Sequence, residues 1–123
     1  MSSISIQKLA SIAFFAYRVS GGRAVSAVYS YETSKYYNFS ISSQGSVVGV
    51  FDYQRGNYFS GNKAGNAWSV FDYCDSHYLS FNPKNGGFSV FDYLSSSYID
   101  VSVKSNQVVL FSYSESKYHT FGV

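Results

Sequence analysis

A short motif that recurs about every twenty residues constrains this chain more than any other feature. Ser69-Val70-Phe71-Asp72-Tyr73 follows Val50-Phe51-Asp52-Tyr53 and precedes Ser89-Val90-Phe91-Asp92-Tyr93, each time at a spacing of twenty residues. The variants Val28-Tyr29-Ser30-Tyr31 and Leu110-Phe111-Ser112-Tyr113 extend the series to five copies. Five residues after the last tyrosine of each copy stands a further tyrosine: Tyr36, Tyr58, Tyr78, Tyr98 and Tyr118. Such a period is typical of a chain built from one repeated supersecondary unit.

The repeated unit is predicted to be a β-hairpin. β-branched and aromatic residues dominate each half of the repeat, and turn-forming residues separate the halves. The predicted strands are 24–31, 36–42, 46–53, 58–61, 67–73, 78–82, 88–93, 98–103, 107–113 and 118–122. Tight turns are predicted at 33–34, 55–56, 75–76, 95–96 and 115–116, and wider ones at 43–45, 62–66, 82–87 and 104–106. Pro83, the only proline, falls in a wide turn on this interpretation.

The fold prediction is an all-β, antiparallel up-and-down meander of about 10–11 strands, made of five ~20-residue hairpin repeats. A hairpin cannot bury its apolar face alone, and closure into a barrel removes sheet edges. A closed or strongly curled barrel is therefore favoured over a linear hairpin stack, which a second subunit could complete.

The domain prediction is one repeat-built domain over residues 1–123, with the hairpins in 24–123. Residues 1–10 could form an edge strand, a short helix or a tail. Ala13-Phe14-Phe15-Ala16-Tyr17 resembles the motif in its order of small, aromatic and tyrosine residues, which suggests a degenerate strand copy.

Tight turns would place Tyr73 opposite Tyr78, so that the tyrosines of each pair face one another across a hairpin end. Because strand side chains alternate, each hairpin then has two different faces. The apolar face carries Trp68, Val70, Asp72, Leu79 and Phe81, and the other carries Ser69, Phe71, Tyr73, Tyr78 and Ser80. The equivalent residues Val50, Val70, Val90 and Leu110 are predicted to form a buried core.

The face of tyrosine and serine is the predicted ligand-binding surface. Aromatic rings with nearby hydroxyls suit a sugar, whose C–H faces pack on rings while its hydroxyls find polar partners. The predicted binding residues are Tyr53, Tyr58, Tyr73, Tyr78, Tyr93, Tyr98 and Ser80. The alternative is that the rings only hold each hairpin end together, since paired aromatics contribute about 0.5–1.5 kcal/mol beyond burial.

Asp52, Asp72 and Asp92 recur at one position of the apolar face, beside a turn. They could form a row of rim carboxylates that binds a cation or sugar hydroxyls. Alternatively, each could accept hydrogen bonds from the backbone N–H groups of its turn. Ser30 and Ser112 fill the same position in the outer copies and are poor ligands for a hard cation, which favours the turn interpretation.

No enzymatic activity, metal site or cofactor is predicted. His77 and His119 lack other ligands at metal-binding spacing, and no residue is placed to orient His77 as a base for Cys74. Phosphate-binding loops, serine elbows and paired catalytic acids are missing from the sequence. A net charge of +2, with basic residues divided between the two ends of the hairpins, does not favour a nucleic-acid partner.

The sequence therefore predicts a non-enzymatic binding module for a carbohydrate or other small polar ligand. The alternative is a structural, self-assembling protein that pairs through aromatic surfaces or sheet edges, so a homo-oligomer is possible. No apolar run is long enough for a membrane span. The compartment is unknown; no signal peptide is recognised, and the single cysteine slightly favours the cytoplasm.

Overall fold

Ten antiparallel strands close into a barrel around one α-helix in the computed structural model, which describes residues 4–123. The elements are α1 (Ile6–Val19), β1 (Ala27–Ser30), β2 (Lys35–Gln44), β3 (Val47–Asp52), β4 (Asn57–Ala64), β5 (Ala67–Asp72), β6 (His77–Lys84), β7 (Gly87–Asp92), β8 (Ser97–Val103), β9 (Gln107–Ser112) and β10 (Lys117–Gly122). Residues 1–3 of the N-terminal segment lie outside the described part of the chain.

Each strand pairs with its neighbours in sequence, and β10 returns to pair with β1 through Tyr29 with Gly122 and Ser30 with Phe121. The closed meander is thus confirmed over the open hairpin stack. The β1–β10 seam has two residue pairs, whereas β9 and β10 share six.

The helix α1 begins at Ile6 because Ser5 caps it: the Ser5 hydroxyl accepts a hydrogen bond from the N–H of Lys8 at 3.2 Å. It ends in a Schellman motif. Gly21 adopts φ +86°, and the N–H of Gly22 bonds the carbonyl of Tyr17. The suggestion that residues 13–17 are a degenerate strand copy is therefore wrong.

The helix runs through the barrel and fills it. Its residues from Lys8 to Tyr17 are all buried, on every side of the helix. Eight strands already enclose enough space for side chains alone, so a ten-stranded barrel leaves a wider interior that must be filled. Small residues at Ala10, Ala13 and Ala16 let the helix backbone approach the surrounding strands.

The core lies between the helix and the inner face of the strands. Val50, Val70, Val90 and Leu110 have no exposed surface, and Trp68 and Phe88 beside them are also buried. The predicted core residues are confirmed. Burial of about 25 cal/mol per Å² of apolar area makes this layer the main source of stability.

The hairpin register differs from the prediction by a relative shift of two residues. Phe71, not Tyr73, lies opposite Tyr78, and Asp72 lies opposite His77. Four residues, 73–76, therefore form the turn. The shift moves each strand by an even number of positions relative to its partner, so the assignment of residues to the two faces is unchanged.

The turn lengths are also the reverse of those predicted. The turns at 31–34, 53–56, 73–76, 93–96 and 113–116 have four residues each, and we call their side of the barrel the long-turn end. The turns at 45–46, 65–66, 85–86 and 104–106 define the short-turn end. Glycine at 45, 65 and 86 makes the two-residue turns possible because all three have positive φ.

Pro83 consequently lies in strand β6 opposite Phe88, not in a turn. In the hairpins on either side, Lys63 and Val103 donate their N–H groups to Ser46 and Gly86 of the preceding turn. Pro83 has no N–H, so at the equivalent position it removes only one backbone hydrogen bond, at the end of a ladder.

Within the described residues, no helix has both the length and the apolar character needed to cross a membrane.

Candidate functional site

Ten tyrosines form a band around the outside of the barrel near its long-turn end. Each is more than half exposed, between 52% and 68%. We call this band the tyrosine girdle; its members are Tyr31, Tyr36, Tyr53, Tyr58, Tyr73, Tyr78, Tyr93, Tyr98, Tyr113 and Tyr118. All six tyrosines of the predicted binding surface belong to it. Alternation along the strands places them on the outer face.

The tyrosines of a hairpin are joined through a central aromatic ring. In the third copy, the rings of Tyr73 and Tyr78 pack edge to face on Phe71, with centroids 4.7 and 4.8 Å away. Phe51, Phe91 and Phe111 hold their own tyrosine pairs in the same way, and Tyr29 does so in the first copy. These contacts fix the orientation of rings that nevertheless remain open to solvent.

Two grooves lie between neighbouring tyrosine clusters. The larger, about 630 Å³, has Phe71 and Tyr78 on one side and Tyr93 on the other. Ser69, Ser80, Ser76 and His77 also line it. The smaller, about 200 Å³, is lined by Ser60, Asn62, Ser69, Phe71, Tyr73 and Tyr78. Ser80 lies with Tyr78 and Tyr93 in the larger groove, while Tyr53, Tyr58 and Tyr98 lie outside both grooves.

Asp52, Asp72 and Asp92 lie inside the barrel at the long-turn end and are almost fully buried. Their Oδ1 atoms accept hydrogen bonds from the N–H groups of Gln54, Cys74 and Leu94, two residues on, at 2.9–3.2 Å. Each carboxylate therefore caps its own turn, which is the alternative to cation binding.

The second oxygens of Asp52 and Asp72 meet a basic side chain of the chain itself. Arg55 Nε bonds Asp52 Oδ2 at 2.6 Å, and Arg55 Nη1 bonds Asp72 Oδ2 at 2.9 Å. Ser11 of the helix donates to Asp52 Oδ2 at 2.9 Å. Buried charges need such pairing, because an unpaired ion in an apolar interior is strongly unfavourable.

Lys8 connects the helix to the remaining carboxylates. Its Nζ lies 2.7 Å from Asp75 Oδ2, 3.0 Å from Asp92 Oδ1 and 3.8 Å from Asp72 Oδ2, and only 3% of its side chain is exposed. Sequence analysis missed Lys8 and Ser11. Their partners lie more than forty residues away in sequence, so no local spacing could have revealed them.

The electrostatics of this cluster follow from burial and pairing. Burial raises the pKa of the Asp72 carboxyl above its ordinary value, although Arg55 and Lys8 partly oppose the shift. Burial lowers the pKa of Arg55, but bonding to Asp52 and the charge of Asp72 outweigh it, so that the guanidinium pKa is raised. Since Lys8 and Arg55 already pair with the carboxylates, the arrangement ties the helix to the strands at the long-turn end.

A second charged cluster bridges the β1–β10 seam. His119 is buried, with Nδ1 2.7 Å from Glu32 and Nε2 2.9 Å from Glu115. Lys117 also bonds Glu32 at 2.8 Å, which lowers the pKa of that carboxyl. The cluster links the β1–β2 turn to β10 where the backbone pairing is shortest.

The structure contains no metal-binding cluster in residues 4–123. No group of three or more His, Cys, Asp and Glu side chains there is arranged to hold a metal ion. Cys74 is exposed in its turn, and His77 Nδ1 contacts the carbonyl of Asp75. The chain matches no protein-family model, no curated protein and no solved structure.

Proposed function

We propose that the protein is a non-enzymatic binding module whose tyrosine girdle and adjoining serines take a carbohydrate or other small polar ligand. The observation that carries this proposal is the groove of about 630 Å³ between Tyr78 and Tyr93, with hydroxyls of Ser69 and Ser80 along it. Its volume falls within the usual range of small-molecule sites.

The geometry suits a ligand with both apolar and polar faces. Tyr78 is held against Phe71, so little side-chain entropy is lost when a sugar ring stacks on it. Tyrosine and serine hydroxyls supply donors and acceptors beside the rings. The helix fills the barrel interior along residues 8–17, and this supports a site on the outer surface.

The experiment is a glycan-array screen, followed by calorimetric titration of each hit. Tyr78 lines both grooves and is the residue to change. Tyr78→Phe should keep most of the affinity, whereas Tyr78→Ala should weaken binding by roughly 1–2 kcal/mol through lost stacking. Tyr118→Ala is the matched control, since Tyr118 packs on Phe111 in the same way but lies outside both grooves. Equal losses at the two positions would contradict a site in the Tyr78 groove.

Self-assembly is the second candidate, because ten half-exposed tyrosines form a band of aromatic surface. Closure pairs each of the ten strands on both sides, so assembly would use the rings and not an open sheet edge. Sedimentation velocity over a hundredfold range of protein concentration tests it. A concentration-dependent oligomer that Tyr78→Ala dissociates, with no glycan bound, would favour assembly over ligand binding.

A further inference from the structure

The two ends of the barrel carry opposite charge. Six of the seven acidic residues lie at the long-turn end: Glu32, Asp52, Asp72, Asp75, Asp92 and Glu115. The exception, Asp100, lies on β8 and pairs with Lys84 at 2.9 Å. Within residues 4–123, Arg18, Lys63 and Lys104 lie at the short-turn end without an Asp or Glu carboxylate inside 4.0 Å, while Arg23 Nη2 donates to the main-chain oxygen of Val123 at 2.9 Å. An anion is therefore attracted to the short-turn end.

A cavity of about 410 Å³ opens at that end, between the last turn of the helix and strands β2 to β5. Arg18 and Lys63 supply its charge, and Val19, Ile41, Val48 and Trp68 supply an apolar wall. Ser43 and Gly45 complete the lining. Acidic side chains are missing from this lining, unlike the pocket beside Lys8, which contains Asp75 and Asp92.

The basic groups keep donors available for a ligand. Arg18 lies over the ring of Phe14 at 5.8 Å and donates through Nη1 to the carbonyl of Val25 at 2.8 Å, which holds the guanidinium in place. A guanidinium has five N–H donors, so this bond leaves others for an anion. Lys63 lies opposite Trp68 across β4 and β5, with its Nζ 6.0 Å from the indole ring.

The helix C-terminus, which carries partial negative charge, opposes anion binding here. Two features reduce that effect. Arg18 lies in the last turn, and the N–H groups of Ser20, Gly21 and Gly22 bond the final carbonyls.

We propose that this cavity binds a small organic anion with an apolar body. The acid group contacts Arg18 and Lys63, and the apolar body lies on Trp68, Ile41 and Val48. Cations alone would suit any anion, and the apolar wall alone would suit a neutral molecule. The combination selects an amphiphilic acid of medium length, and the site is independent of the tyrosine girdle.

Octanoate is the test probe, with octan-1-ol and acetate as probes that each lack one half of its chemistry. Trp68 is the only tryptophan, so its fluorescence reports on the cavity directly; calorimetry gives the stoichiometry. We expect saturable one-to-one binding of octanoate, with octan-1-ol and acetate at least tenfold weaker. No saturable binding of octanoate, or equal binding of octan-1-ol, overturns the proposal.

Lys63→Gln and Lys104→Gln form the matched pair of variants. Both residues are exposed at the short-turn end and both changes remove one positive charge, but only Lys63 lines the cavity. Octanoate affinity should fall at least fivefold in Lys63→Gln and less than twofold in Lys104→Gln, with the circular dichroism spectra unchanged. Equal losses would mean a general charge effect and overturn the assignment of the acid group to this cavity.

Discussion

Phe15 of the central helix occupies the space into which a side chain at Gly61 would project. A Cβ added at Gly61 would lie 2.5 Å from Phe15 Cζ and 3.2 Å from Trp68 Cε3. The equivalent inward positions of the other hairpins carry Ile41, Phe81, Val101 and Phe121. The missing side chain on β4 thus accommodates an aromatic ring of the helix, which fixes the rotation of the helix relative to the strands.

Gly61→Ala should therefore destabilise the protein by about 1–3 kcal/mol, the usual cost of overpacking a core. The matched control is Gly49→Ala, where the nearest atoms to an added Cβ are serine hydroxyls at 3.5 and 3.6 Å. That change should instead stabilise the protein by about 0.5–1 kcal/mol, because glycine inside a strand is less favourable than alanine. Urea unfolding of both variants provides the comparison. Equal stability of the two would mean that Phe15 does not contact Gly61 in solution.

Lys8→Met should lower the free energy of unfolding by about 3–5 kcal/mol, more than Gly61→Ala does. It leaves the buried Asp92 carboxylate without its cation. Lys35→Met is the control, since Lys35 is exposed and has no carboxylate within 4.0 Å among the described residues. The urea midpoints of both variants measure the difference. Adding Asp92→Asn to Lys8→Met should restore part of the loss; a double variant no more stable than Lys8→Met would contradict the pairing.

The strands and the two faces of the sheet were predictable from the sequence because alternation is a local property. Val70 and Phe71 are adjacent, and their opposite environments follow from the strand period of two. Closure was predictable because the apolar face must be buried and sheet edges are unfavourable. The outward position of the girdle tyrosines follows from the same argument.

The central helix was missed because Ala13 to Tyr17 imitates the strand motif. The helical signals were present: Ser5 is a good N-cap, and residues 6–19 contain neither glycine nor proline. The helix is buried on all sides from Lys8 to Tyr17, and its polar residues Lys8 and Ser11 face charged groups inside the barrel, so no solvent-facing side of the helix identifies it. Only the diameter of a ten-stranded barrel makes a buried central helix necessary, and that diameter is a property of the closed fold.

The register was mispredicted because serine, not glycine, occupies the left-handed position of four turns. Ser34, Ser76, Ser96 and Ser116 have φ between 51° and 57°, and only Gly56 marks this position with the expected residue. The ion pairs of Lys8 depend on contacts 67 and 84 residues apart, which no local pattern encodes. Tertiary contacts therefore determine most of the charged cluster.

Ser96→Gly should stabilise the protein by up to about 1 kcal/mol. The left-handed conformation costs a non-glycine residue about 1–2 kcal/mol, and the greater freedom of glycine in the unfolded chain offsets roughly half of the gain. Ser89→Gly is the control, because Ser89 lies in the extended strand β7 and glycine there should cost about 0.5–1 kcal/mol. Thermal unfolding at one pH distinguishes the two. A loss of stability in both would argue against the left-handed turn.

Acid should weaken the β1–β10 seam through Glu32. Hydrogen bonding from Lys117, with a further contribution from His119, lowers the pKa of Glu32 below its ordinary value of 4.5. Because the folded carboxylate is favoured, its contribution to stability is fully present above pH 4.5 and is lost as the pH falls through the folded pKa. Glu32 is 37% exposed, so solvent screening limits the contribution to less than about 1 kcal/mol.

Urea unfolding between pH 3 and 6 should therefore show a smaller loss of stability in Glu32→Gln than in the wild type, since glutamine does not titrate. Lys117→Met should also flatten the pH dependence, because it removes the largest cause of the shift while leaving the carboxyl in place. Hydrogen exchange of the Tyr31 amide, whose N–H donates to the carbonyl of Thr120 on β10 at 3.3 Å, reports whether the seam itself opens. Its protection factor, which corrects for the slower intrinsic exchange in acid, should fall more between pH 6 and pH 3 than that of Val90 on β7. Identical pH profiles in all three proteins would show that Glu32 does not stabilise the closure.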